Sequence, residues 1–129
     1  MRILLDTQCW LWMEAMPERL SAQAQTIVRD PTHELYLSAA SAWEIAIKYE
    51  LGKLQLPVPP QRYVPSRLKR SRITPLPVQI EHALRAGTLP SHHRDPFDRL
   101  LIAQAQIERL VILTADPQFA VYDVQLIRT

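Results

Sequence analysis

Apolar runs too short for helices recur along this chain, separated by longer stretches in which apolar residues return every three or four positions. RILL (2–5), ELYLS (34–38), RLVILTAD (109–116) and VQLI (124–127) are of the first kind and predict strands. Rich in Leu, Ile and Val with few polar interruptions, they read as strands covered on both faces. The second kind predicts helices. PERLSAQAQTIVRD (17–30) has Pro17 near its start and Pro31 just beyond its end. SAWEIAIKYELG (41–52) runs from Ser41 as N-cap to Gly52 as C-terminal cap. PVPPQRYVPSRLKRSR (57–72) begins as a proline-rich bend and turns helical after Pro65. The extended piece ITPLPV (73–78) then leads into a helix over 79–86 closed by Gly87. DPFDRLLIAQAQIER (95–109) carries the strongest helical signal, with Asp95 as N-cap and Pro96 in the first helical position.

Strands alternating with amphipathic helices predict an α/β sandwich with a parallel sheet covered on both faces. At 129 residues and 47% hydrophobic, the chain has enough apolar material for one core, so residues 1–129 are expected to form a single domain. No repeat, low-complexity tract or linker interrupts it. A lone cysteine, Cys9, cannot form an internal disulfide, which points to a reducing cytoplasm. Asp6 cuts short any signal-peptide apolar core, and no segment approaches the roughly 20 apolar residues of a membrane span.

The charge is unevenly placed. Residues 51–80 contain Lys53, Arg62, Arg67, Lys69, Arg70 and Arg72 and no acidic side chain. The other nine basic residues face all 13 acidic ones, leaving a net −4 outside that segment. A basic surface beside an acidic one suits nucleic acid near a cation site, and equally a solvated helix face. Both glycines, Gly52 and Gly87, are assigned to helix ends, so no glycine-rich loop is left to cradle a phosphate. One cysteine and the pair His92 and His93 make no usual zinc set, and the two histidines, just before the N-cap, read as an incidental loop pair or as a contact to nucleic acid.

Four acids carry the chemistry. In a parallel α/β sheet the C-terminal ends of strands and the N-terminal ends of helices share one edge, where such folds take ligands. Asp6 follows the first strand and Asp116 follows the strand ending near Leu113, while Glu44 and Asp98 fall in first helical turns. Asp98 shares its helix face with Leu101, Ile102 and Ala105, so its carboxylate points toward the core side. Each acid also has a purely local explanation. Ser41 and Glu44 match a capping box, Asp95 and Asp98 nearly do, and Asp6 and Asp116 fit turns. Taken together, four carboxylates on one edge repel one another by more than helix dipoles offset. A hard cation, Mg²⁺ or Mn²⁺, resolves this, and such a site hydrolyses phosphodiesters. Thr7 and Thr114 flank the acids as possible support, and Asp95 as cap and outer partner.

LLDT (4–7), SAWEI (41–45), RDPFDRLLIAQA (94–105) and LTAD (113–116) resemble, in order and spacing, the four acidic motifs of PIN domains, especially the VapC-type toxins of bacterial toxin-antitoxin pairs. The resemblance covers nearly the whole chain. It implies a PIN-like three-layer sandwich with a mainly parallel five-stranded sheet. It also implies a Mg²⁺-dependent endoribonuclease, usually a homodimer, held inactive by a cognate antitoxin. By motif, Asp6, Glu44, Asp98 and Asp116 match the first to fourth acids. The first and third, Asp6 and Asp98, are the implied metal ligands, with Asp95 the reserve for the third. Beside such a site, Arg62, Arg67, Lys69, Arg70 and Arg72 become candidates for contact with the RNA backbone.

Two other readings share parts of this pattern. A DNase or structure-specific nuclease of the same superfamily uses every acid. A receiver-like signalling module also gathers aspartates and Mg²⁺ at a strand edge, but wants a second acid beside Asp6 and a lysine late in the chain, and none follows Lys69. Trp10, Trp12 and Trp43 fit base stacking, core packing or a dimer surface.

Overall fold

A computed structural model describes residues 1–129. The strands are β1 (Arg2–Leu5), β2 (Glu34–Ser38), β3 (Ile73–Leu76), β4 (Val111–Thr114) and β5 (Leu126–Arg128). They form one sheet in the order β3-β2-β1-β4-β5, every neighbouring pair parallel. The helices are α1 (Thr7–Ala15), α2 (Ala22–Arg29), α3 (Ala39–Glu50), α4 (Pro60–Arg70), α5 (Ile80–Thr88) and α6 (Pro96–Glu108).

The period of two along β1 divides the core. Ile3 and Leu5 pack with Cys9, Trp10, Ile45, Tyr63 and Val64, while Leu4 packs with Leu101, Ile102, Ile112 and Phe119. Side chains from α1 to α4 therefore cover one face and those of α5 and α6 the other, giving three layers. The central strand is wholly sealed: Ile3, Leu4 and Leu5 are each 0% exposed.

Topology then decides where a site can form. From β1 the chain steps outward to β2 and β3, then returns across the sheet to β4 on the other side of β1. The connections leaving β1 and β4 diverge, which opens a crevice at their C-terminal ends.

Several element boundaries differ from the sequence pattern, each for a local reason. A helix, α1, follows β1 directly, with Asp6 as its N-cap. Its stretch TQCWLWMEA has no amphipathic period because Thr7, Cys9 and Trp10 are all buried. The expected helix over 17–30 is a short 3-10 turn at Pro17–Arg19 followed by α2, whose N-cap is Ser21. α3 starts at Ala39 with Ser38 as N-cap, so Ser41 and Glu44 do not form a capping box; Ser41 instead accepts a hydrogen bond from the Thr7 hydroxyl at 2.8 Å. α4 begins at Pro60 and contains Pro65, which stands on the exposed side. Gly87 lies inside α5, whose C-cap is Leu89, and the predicted closure at Gly87 does not occur. α6 is as expected, with Asp95 as N-cap, and it ends at Arg109 in a left-handed conformation (φ 58°). β5 is shifted to Leu126–Arg128 from the expected 124–127.

Candidate active site

The acidic edge assembles from the ends of five elements. Asp6 caps α1: its Oδ1 accepts the Cys9 amide at 2.7 Å, and its Oδ2 accepts the hydroxyl of Thr114 at the end of β4. The same Thr114 oxygen accepts the Asp116 amide at 3.0 Å. Asp116 in turn caps the 3-10 turn Pro117–Val121. Asp95 caps α6, accepting from Phe97 N at 2.8 Å and, more weakly, Asp98 N at 3.4 Å. Glu44 projects from the second turn of α3, buried to 6% exposure, with one oxygen bonded to Lys48 at 2.7 Å.

Asp6, Glu44, Asp95, Asp98 and Asp116 line one cleft of about 360 Å³ with Thr7, Gln8, Leu11, Leu54, Lys48 and Lys53. All four acids expected from the sequence are thus brought together, and Asp95 joins them. Thr7 and Thr114 both lie in the buried layer beneath. Gly52, in the left-handed region at φ 71°, makes the turn after α3 that brings Lys53 back to the mouth of this cleft.

The electrostatics reflect that crowding. Burial, together with the negative charges of Asp95, Glu44, Asp6 and Asp116, pushes the Asp98 carboxyl up to about 8. Burial likewise holds Asp6 above the usual carboxylate range, while its bonds from Thr114 and Cys9 pull the other way. The Lys48 ammonium is held above its ordinary value by its bond to Glu44. Lys48 and Lys53 do not balance five carboxylates.

The residues fit a divalent cation. The donors at the cleft are carboxylate oxygens, and Glu44 Oε1 is buried without any hydrogen-bond partner. Such an orphan acceptor is costly unless a positive centre meets it.

Sequence reasoning missed His93. Its Nε2 lies 2.9 Å from Asp98 Oδ2 and 3.3 Å from Asp116 Oδ2, and the three side chains offer ligand atoms within 4.8 Å of one another. Its place in the loop next to the α6 cap was visible in the sequence. What brings it against Asp116 is the later 3-10 turn: Asp116–Pro117 marks a turn locally, but not the loop that the turn packs against.

The basic segment is placed differently. Arg67 stacks over Tyr63 and approaches Glu14 at 3.9 Å, and Ser71 bonds the same Glu14 at 2.8 Å. Glu14 is in the last turn of α1, which starts at the acidic edge and runs away from it. Arg72 immediately precedes β3, at the N-terminal edge of the sheet. Arg67, Arg70 and Arg72 therefore lie at the opposite edge from the carboxylates; Arg62 and Lys69 are exposed on α4, outside the cleft lining. Of the tryptophans, Trp10 is fully buried, Trp12 lies under Arg19, and Trp43 is 63% exposed, edge-on to Phe97 beside the acids.

The chain is similar to known proteins in sequence and in fold. The chain is 47% identical over 87 residues to Ribonuclease VapC16 of Mycobacterium tuberculosis, covering 60% of this chain and 62% of that protein. It is 32% identical over 104 residues to Ribonuclease VapC22 of the same organism, covering 80% of this chain and 78% of that one. In fold it is similar to the crystal structure of VapBC2 from Rickettsia felis bound to a DNA fragment from their promoter (TM-score 0.72, 14% identity, 100% of this chain and 99% of that one). It is also similar to VapBC-1 from nontypeable Haemophilus influenzae (TM-score 0.69, 20% identity, 99% and 98%). The PIN domain family model matches residues 3–125, a span that contains β2 to β4, all but the first residue of β1 and all four acids, so the chain belongs to the PIN domain family.

Proposed function

We propose that the protein is a metal-dependent endoribonuclease acting as the toxin of a toxin-antitoxin pair. The observation that carries this reading is the cleft in which Asp6, Glu44, Asp98 and Asp116 meet with a single lysine paired to one of them. The resemblance to two proteins named ribonucleases supports the choice of RNA over DNA.

A bound Mg²⁺ or Mn²⁺ supplies an activated water and neutralises charge on the phosphate. Asp6 and Asp98 would hold it, with Glu44 Oε1 and Asp116 facing the same space. Asp6 is fixed in direction by its bonds from Cys9 N and the Thr114 hydroxyl. Lys48 keeps the second Glu44 oxygen occupied and leaves the first free. Lys53, exposed at the mouth, attracts the phosphate backbone toward the acids. The expected RNA contacts from Arg62 to Arg72 would act at a distance from the cleft, as a secondary track.

Val78, Ile80 and Leu84 leave an apolar stripe on and before α5, with Ile80 81% and Leu84 68% exposed. We infer a homodimer through this face, with a cognate antitoxin as the other partner and residues 1–129 acting as one nuclease unit in the cytoplasm. No helix is long and apolar enough to cross a membrane.

The test is cleavage of single-stranded RNA by the purified chain with Mg²⁺ or Mn²⁺, against EDTA and against DNA of the same sequence. Loss with EDTA, and loss in Asp6→Asn and Asp98→Asn, is expected. Cleavage that survives both substitutions would reject the site, and preference for DNA would move the assignment to a PIN-type DNase. Light scattering of wild type and Leu84→Asp tests the dimer, which the aspartate is expected to dissociate.

A further inference from the structure

His93 is held more firmly than a loop residue needs to be. Its backbone amide donates to the Tyr122 hydroxyl at 2.7 Å, and its ring meets Phe119 edge-on with centroids 6.0 Å apart. The Arg99 guanidinium donates to four carbonyls, Ala86, Leu89, Pro90 and His93, stapling the whole α5–α6 connection to α6. These bonds aim the ring at the acids. Nδ1 accepts the Asp95 amide at 3.3 Å, so in the neutral ring the proton sits on Nε2.

That Nε2 is the atom between the third and fourth acids. The side chain is only 10% exposed, and Nε2 faces Asp98 Oδ2 and Asp116 Oδ2 while aligned with neither for a full hydrogen bond. Asp98 is in the first turn of α6 and Asp116 in the turn after β4. No other protein donor links their carboxylates.

We propose that His93 is a positioning residue of the acid centre, its Nε2–H set between the Asp98 and Asp116 carboxylates and so setting the affinity of the cleft for its divalent ion. This rests on the metal-site reading above and adds to it a residue outside the four acids. The imidazole restrains two carboxylates from separate elements, so binding the ion does not have to order them. Outer partners of this kind are worth about 10- to 100-fold in metal affinity or activity.

The experiment is Mn²⁺ binding to the full chain, followed by electron paramagnetic resonance, in wild type, His93→Leu, His93→Gln and His92→Leu. Leucine keeps most of the volume against Phe119 and removes the donor. Glutamine returns an N–H near the position of Nε2. His93→Leu is expected to bind Mn²⁺ about 10- to 100-fold more weakly while melting close to wild type. His93→Gln is expected to regain most of the loss, and His92→Leu to bind normally. Cleavage kinetics should show kcat at fixed Mn²⁺ falling with KM for RNA unchanged. Wild-type affinity in His93→Leu, or equal loss in the leucine and glutamine variants, would overturn the proposal. So would a directly coordinated nitrogen in the pulsed spectrum of the wild type, which would make His93 a ligand. Failure of the wild type to bind Mn²⁺ at all would instead overturn the metal site itself.

Discussion

The hydroxyl of Thr114 donates to Asp6 Oδ2 and so ties together the ends of β1 and β4, two residues 108 positions apart in sequence. The same oxygen accepts from Asp116 N. One small side chain thus fixes the direction of the first acid and the turn that carries the fourth.

Thr114→Val keeps the shape of the strand end and removes both bonds. It is expected to cost about 1–2 kcal/mol of stability, because the Asp116 amide and Asp6 lose a buried partner. Activity should fall further than stability, since Asp6 becomes free to turn. Urea denaturation and kcat measured on the same preparation check this, and an unchanged kcat would show that Cys9 N alone orients Asp6.

Asp98 makes the stability of the metal-free protein depend on pH. Its folded value, about 8, lies above the ordinary 3.8, so its contribution favours the folded state fully below about pH 4 and is lost as pH rises toward 8. The slope from this group is at most about 1.4 kcal/mol per pH unit, reduced by the water that reaches a side chain 19% exposed. Denaturation in EDTA at several pH values between 5 and 8 should therefore show stability falling more steeply in wild type than in Asp98→Asn. Parallel curves would remove Asp98 from the crowded centre.

Metal addition is expected to reverse that deficit. At 100 times its dissociation constant a divalent ion stabilises the folded state by about 2.7 kcal/mol. Mn²⁺ is expected to raise the melting temperature of wild type at pH 8 and to leave Asp98→Asn nearly unmoved. An equal rise in both would place the ion elsewhere.

The cations near the cleft and those at the far edge should separate in RNA binding. Lys53→Ala removes a charge at the mouth and is expected to raise KM several-fold and flatten its dependence on salt. Arg70→Ala, beside Glu14 at the other edge, should change KM little. The reverse pattern would mean that RNA runs along α4.

Asp6, Asp98 and Asp116 were legible in the sequence because each stands at a strand or helix end, which proline, apolar runs and caps mark, whereas Glu44 lies a turn deeper in α3 than its apparent cap implied. Asp95–Pro96 announced α6, and the RILL–Asp6 junction announced the edge of the sheet. α1 was not legible: with Thr7, Cys9 and Trp10 all turned inward, its apolar positions do not recur at helical spacing. The start of α3 was misread by three residues, since Ser38 and Ser41 are equally good caps on paper and only the end of β2 decides between them. The place of the basic segment was not legible for a different reason. Its charges are real, but their edge depends on which way α1 runs, and α1 was not visible. His93 needed the turn after β4, which is a long-range fact.

Because β1 pairs directly with β4, the cleft is completed only by a strand that is made long after the first. A ribosome-bound polypeptide that has delivered Asp6, Glu44 and even Asp98 still lacks the strand against which the first of these is oriented. The acidic cleft is thus expected to stay unformed on the nascent chain until β4 emerges and the sheet zips shut.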